Sequence, residues 1–229
     1  MRIQVAILVV AKAPVAGQAK TRLQAAMSGA DAARLAAAAL LDTLDAVART
    51  PVAKRVVALT GDLGHAECGA EIRSALAEFD VIAQRGSDFA HRLANAHADC
   101  GALTGLPTLQ IGMDTPQVDA ELLSAGAQLL CESDAVLGMA TDGGWWALGV
   151  RDPLSAQALI GVPMSTDTTG AETLAALRSS GARVVALPEL ADVDVPDDVS
   201  RVCAVARADG HFRRVVAEVA PTLIMEVGN

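Results

Sequence analysis

Tyrosine is absent from this 229-residue chain, and aromatic residues of every kind make up only 2% of it. Hydrophobic residues nevertheless reach 52%, so the core has to be built from Ala, Leu and Val. Long apolar runs are also missing. Val5–Ala11 is cut by Lys12, and Leu35–Leu41 stands between Arg34 and Asp42. Neither approaches the roughly 20 residues of a membrane span, despite a mean hydropathy of +0.36. Met1–Ala13 lacks the extended apolar segment of a cleavable signal and runs directly into a basic loop. A cytoplasmic protein without membrane insertion is expected.

Paired cysteines are missing as well. Cys68, Cys100, Cys131 and Cys203 are widely spaced and form no CxxC, which argues against a zinc site or a disulfide framework and reads as small buried hydrophobes. His91 and His97 do not fall at i, i+4 on one helical face, so both read as ordinary helix residues. Positive charge is scarce: formal net charge is −9, which disfavours a nucleic-acid partner. The exception is local. Before Asp31 the chain carries Arg2, Lys12, Lys20 and Arg22 and no acidic residue.

What is present is an alternation of apolar runs and helical patterns. Ile3–Val10, Arg55–Thr60, Val81–Ala83, Leu109–Met113, Ala135–Met139, Trp145–Val150 and Arg183–Leu187 read as strands. Between them lie helices from Ser28 to Arg49, His65 to Phe79, Asp88 to Leu103, Asp119 to Leu130 and Gly170 to Ser179, with Pro196–Arg207 and His211–Val219 following. Ser28 has the residue type of an N-cap, with Asp31 in the first turn. Strands alternating with helices predict an α/β fold, a mostly parallel sheet covered on both faces. The length suits one domain over 1–229. Ile3–Val10 and Leu109–Met113 should be adjacent or near-adjacent interior strands, because near-continuous apolar runs mark burial on both faces.

Four segments carry chemistry. AKAPVAGQAKTRL, from Ala11 to Leu23, follows the first strand; Gly17 permits close backbone approach, and Lys20 and Arg22 supply charge for phosphate oxygens. It is neither GxxxxGK[ST] nor GxGxxG, and a solvated basic loop is the competing reading. GMDTP releases Asp114 at the end of a buried strand, where open α/β sheets bind ligands; a cap for the following turn is the competing reading. DVDVPDDV places Asp192 and Asp194 on one side of an extended segment, while Asp197 and Asp198 suit the positive end of the next helix. TDGGWW brings a paired-glycine turn, Asp142–Gly144, before the only two tryptophans.

The order AKAPVAGQAKTRL, QRGSDFAHRL, IGMDTPQ, DAVLGMATDGGWWALGV, MSTDTTGAETL and LPELADVDVPDD resembles the bacterial DUF2064 family. That family is glycosyltransferase-like and related to the molybdenum-cofactor and phospholactate nucleotidyltransferases. The resemblance runs to about residue 200 and implies the Rossmann-like GT-A fold with a metal-binding aspartate. It places Ala11, Lys12, Gly17, Lys20, Arg22 and Gln84 at a nucleotide. Asp114 becomes the metal aspartate, Asp192 and Asp194 the second acidic site, and Asp142, Gly143 and Gly144 the acceptor-side turn. Lys20, Arg22 and Asp114 become the catalytic residues. Ala16, Met113 and Trp145 stand where the family commonly has proline, serine and tyrosine, and LxxGxSxRMG is absent.

The expectation is a transferase dependent on Mg²⁺ (or Mn²⁺) that couples an NTP to a phosphorylated small-molecule acceptor. The alternatives are glycosyl transfer from an NDP-sugar and a non-catalytic nucleotide-binding protein. Metal sharing would bring Asp114 and at least one of Asp192 and Asp194 within ~8 Å. Crowded carboxylates repel, so removing Asp114 is expected to stabilise the metal-free protein slightly.

Overall fold

The computed structural model describes residues 1–222; residues 223–229, the end of the expected single domain, lie outside the described residues. Seven strands and seven α-helices follow one another: β1 (Ile3–Lys12), α1 (Gly29–Arg49), β2 (Val52–Thr60), α2 (Gly69–Ala75), β3 (Asp80–Ala83), α3 (Phe89–Thr104) and β4 (Thr108–Ile111). Next come α4 (Ala120–Glu132), β5 (Ala135–Ala140), β6 (Trp145–Val150), α5 (Thr169–Ser179), β7 (Val184–Leu190), α6 (Pro196–Val205) and α7 (His211–Val219). The sheet order is β3-β2-β1-β4-β6-β5-β7. All neighbours are parallel except β6, which runs antiparallel to both β4 and β5. β1 and β4 are adjacent interior strands, with Ala6 opposite Thr108 and Val9 opposite Ile111.

Alternation along β1 explains the layers. Val5, Ile7 and Val9 pack with α1, α2 and α4 on one face, and Ala6 and Leu8 pack with α3 on the other. The β5–β6 end of that second face is covered by α5 and a 3-10 turn at Pro153–Leu159. α1 is more buried than the single stripe of Leu35, Ala38, Leu41, Leu44 and Ala48 at helical spacing in its sequence predicts. Its outer flank, Ala32, Leu35 and Ala39, is covered by α6 and α7. Asp42, 3% exposed, accepts from the backbone N–H of His211 and of Phe212, both at 2.8 Å. A carboxylate inside one helix thereby caps the start of another.

The cap read from sequence is made, Ser28 accepting from Asp31 N–H; Asp88 and Asp119, read only as helix starts, cap in the same way, accepting from His91 N–H and Leu122 N–H. Four expectations change. The helix expected from His65 starts at Gly69, because the chain turns at Cys68, where φ is 51°. A Cβ at Gly69 would collide with the Leu63 carbonyl. β4 stops at Ile111 rather than Met113; beyond it, the Met113 sulfur takes the Lys12 N–H at 3.2 Å. Cys68 and Cys131 are exposed, and only Cys100 and Cys203 are buried. His97 is not an ordinary helix residue: it is fully buried, and burial pushes its pKa down to about 3.

Candidate active site

The basic loop leaves β1 at the rim where β1, β2 and β4 all end. Ala13 N–H bonds Thr60 O at 2.8 Å, so β1 and β2 stay paired to their last residues. The chain then turns through Gly17 (φ 74°) and Lys20 (φ 48°), and Leu23 anchors the turn in the α6–α7 cluster. A left-handed lysine costs on the order of 1–3 kcal/mol, and its side chain shows what holds it there. The Lys20 ammonium lies 2.9 Å from Asp114 Oδ2 and 3.9 Å from Asp194 Oδ1. Arg22 pairs with the other Asp194 oxygen. Lys12 Nζ donates to Gln18 O at 3.1 Å inside the loop. Gln84 donates its amide N–H bonds to Ala11 O (2.8 Å) and Ala58 O (2.9 Å), which ties the end of β3 to this rim.

One ammonium touching both carboxylates puts Asp114 and Asp194 inside the ~8 Å that a shared metal and its waters require. The acidic segments are tied by backbone too: Val193 N–H bonds Asp114 O at 3.0 Å, and the Gln117 amide bonds Ala191 O. β7, however, is separated from β4 by β5 and β6. Asp192 and Asp194 do not close a neighbouring strand; they lie on a segment that crosses the sheet rim after β7. Asp192 is pushed up to about 6 by burial first and then by the Asp142 charge, with Lys20 pulling the other way. Asp198 accepts from Asp194 N–H and Val195 N–H at 3.1 and 2.9 Å, the capping role expected of it.

A divalent cation fits these residues. Asp114 Oδ1 is buried with no hydrogen-bond partner, and buried carboxylate oxygens are left single only where something else satisfies them. No group of three or more His, Cys, Asp or Glu stands in metal-binding geometry among the described residues; the Lys20 ammonium sits between Asp114 and Asp194.

The third wall is the β5–β6 turn. Asp142 Oδ1 accepts Gly144 N–H at 2.8 Å. Gly143 has φ 90°, and a Cβ there would collide with the Asp167 carbonyl. Gly170 N–H bonds Gly143 O at 2.8 Å, so the first turn of α5 clasps the β5–β6 turn. Trp146 is buried and bonds Pro188 O at 2.9 Å, while Trp145 is part-exposed and lines the cleft. Together these walls enclose about 720 Å³, reached by Lys12, Arg22, Gln84, Asp114, Asp142 and Asp192. Lys20 and Gly17 do not line it: Lys20 stands behind Asp114 and Asp194, which do, and Gly17 has no atom within 4 Å of where its Cβ would be.

Phe89, Arg92, Gln110 and Asp167 also line the cleft and were not singled out by sequence. Phe89 and Arg92 lie in QRGSDFAHRL and Asp167 in MSTDTTG, so the motifs held the signal; Gln110 was hidden inside a buried strand.

Residues 43–166 match the DUF2064 family, described as an uncharacterized protein conserved in bacteria. The chain belongs to this family. No curated protein matches it. Among solved structures, a candidate nucleotide-diphospho-sugar transferase from Desulfovibrio desulfuricans G20 superposes with a TM-score of 0.85 at 24% identity, covering 99% of this DUF2064 chain and 98% of that one. A cytidylyltransferase from Leptospira borgpetersenii serovar Hardjo-bovis gives 0.58 at 12% identity, covering 97% of each chain. Rv0371c of Mycobacterium tuberculosis H37Rv in complex with manganese gives 0.51 at 16% identity, covering 94% of this chain and all of that one. At these identities the likeness is one of fold. The DUF2064 chain has the Rossmann-like GT-A architecture, and no helix among its described residues is long and apolar enough to cross a membrane.

Proposed function

We propose that this chain, read as one domain, is a divalent-metal-dependent transferase acting on a nucleotide, and that its reaction is nucleotidyl transfer. The observation that carries the reading is the contact of Lys20 with both Asp114 and Asp194. That contact supports reading the basic loop as phosphate-binding and the two carboxylates beside it as metal ligands. The folds of a cytidylyltransferase and of a manganese complex support it.

In this reading an oxygen of a phosphorylated acceptor attacks the α-phosphorus of an NTP. The bond to the bridging oxygen breaks, and pyrophosphate leaves with the electron pair. Lys20, Arg22 and Lys12 neutralise the phosphate oxygens, which is worth most where charge develops. Gly17 lets the triphosphate lie against backbone. Gln84, with both amide hydrogens committed to carbonyls, can only accept from the base. Asp114, Asp194 and Asp192 would hold Mg²⁺ or Mn²⁺, which supplies Lewis-acid neutralisation of phosphate charge. Asp142 faces the acceptor, while the amides of Gly143 and Gly144, which donate to Ala140 O and Asp142 Oδ1, hold the turn that carries it. An intact set of charged residues supports catalysis over mere nucleotide binding.

A second reading is glycosyl transfer from an NDP-sugar. It is favoured by the fold likeness to the Desulfovibrio protein and by the carboxylates Asp142 and Asp167, which suit sugar hydroxyls.

Thermal shift with NTPs and NDP-sugars, each with Mg²⁺ or Mn²⁺, tests the reading. A ligand at a hundred times its Kd adds about 2.7 kcal/mol. Stabilisation by an NTP, with pyrophosphate released once an acceptor is found, is the expected result. No metal-dependent shift with any nucleotide would overturn it.

A further inference from the structure

Three residues that line the cleft each carry a buried polar atom without a partner: Arg92 Nε, Gln110 Oε1 and Trp145 Nε1. Buried polar groups are normally satisfied, so three orphaned atoms on residues of one cleft point to a ligand. Gln110 is 2% exposed. Alternation along β4 puts it on the α3 face, opposite Leu109 and Ile111. Behind it stands the buried His97, whose ring lies close to the Gln110 amide without reaching hydrogen-bond geometry.

Arg92 is the unusual cation of the cleft. Lys20, Arg22 and Arg201 each pair with a carboxylate, and Lys12 is engaged inside its own loop. Arg92 has no carboxylate within salt-bridge distance among the described residues. It lies over the Phe89 ring at 5.7 Å, a stacking that orients the guanidinium while leaving its donors free. Beside it is an apolar wall: Val10, Trp145 and Met164 pack against the cluster that contains Leu93. Three of the chain's five aromatic residues, Phe89, Trp145 and Trp146, line this one cleft.

We propose that this half of the cleft is the acceptor site, and that it takes an amphipathic anion. Arg92 receives a phosphate or carboxylate, Val10, Leu93, Trp145 and Met164 take an apolar or planar body, and Gln110 bonds a polar group on that body. The proposal rests on the transferase reading and deepens it. Topology separates this half from the nucleotide loop: the loop and Gln84 sit at the ends of β1, β2 and β3, whereas Gln110 and Trp145 belong to β4 and β6 on the other side of β1. An anion pocket there, distinct from Lys20 and Arg22, is what a phosphorylated or carboxylic acceptor needs.

The test uses fluorescence of Trp145 and Trp146, the only tryptophans, with phenyl phosphate and benzoate as probes and inorganic phosphate and benzyl alcohol as halves of them. Saturable quenching by phenyl phosphate or benzoate is expected, stronger than by either half, and the two anions separate a phosphate from a carboxylate preference. Arg92→Gln should lose about tenfold or more in affinity for the anionic probe, Arg92→Lys less, with affinity for CTP and Mg²⁺ unchanged in both. The assignment is overturned by an absence of saturable quenching, by wild-type affinity in Arg92→Gln, by inorganic phosphate binding as well as phenyl phosphate, or by a parallel loss of CTP binding. If the wild-type protein binds the probe but no nucleotide, the transferase reading fails and the anion site stands.

Discussion

The Lys20 ammonium stands 2.9 Å from Asp114 Oδ2 and 3.9 Å from Asp194 Oδ1, bridging two carboxylates that lie far apart in the sequence. Its side chain is 10% exposed, so the pairing is far less screened than a surface contact. The same pairing selects the left-handed backbone of Lys20, since an extended or helical φ there would aim the side chain elsewhere. The cations of the loop and the acids of the rim neutralise one another.

Lys20→Ala and Arg22→Ala are each expected to lower nucleotide affinity tenfold or more, because charged hydrogen bonds are worth roughly 1.5–3 kcal/mol. Isothermal titration with NTP and Mg²⁺ measures this. Unchanged affinity in both variants would return the loop to a solvated role. Lys20→Gly should lose the nucleotide equally but unfold at higher urea than Lys20→Ala, because glycine accepts φ 48° without strain.

Asp114→Asn should abolish metal-dependent pyrophosphate release. The sequence alone predicts that losing this charge stabilises the metal-free protein. The ion pair to Lys20 reverses that sign: the variant strands a mostly buried ammonium and should be less stable by on the order of 1 kcal/mol. Urea denaturation in chelator decides the sign, and full turnover in chelator would sink the metal assignment.

Acidification should destabilise the fold through His97. Its folded pKa of about 3 lies below the reference 6.5, so the unfolded chain takes the proton first. Its contribution is flat above pH 6.5 and falls by up to ~1.36 kcal/mol per pH unit as pH drops from there towards 3. Comparing urea midpoints of wild type and His97→Gln between pH 7 and 4 should show a shallower slope in the variant; parallel slopes would contradict it.

Asp42→Ala removes the carboxylate that accepts from His211 and Phe212. Loss of about 2–3 kcal/mol is expected, with early exchange of the α7 amides. Hydrogen exchange that leaves α7 as protected as in wild type would count against this cap.

The sequence by itself determined most of the local elements and singled out the charged segments proposed to carry the chemistry. β1 and β4 were legible because strands buried on both faces must be apolar throughout, and Ser28 was legible as a cap because its partner lies three residues away. The acid-free loop and Asp114 were legible because charge at the end of a buried strand is costly without a use. The tertiary structure decided the rest. Only it shows that β6 inserts antiparallel between β4 and β5, that the segment after β7 crosses the rim to hang Asp194 beside Asp114, and that Arg92, Gln110 and Trp145 line one cleft. Burial leaves a period in the sequence because each residue meets the core on its own. Partnership between residues such as Lys20 and Asp194 leaves none, because it depends on the order in which strands pair across the whole sheet.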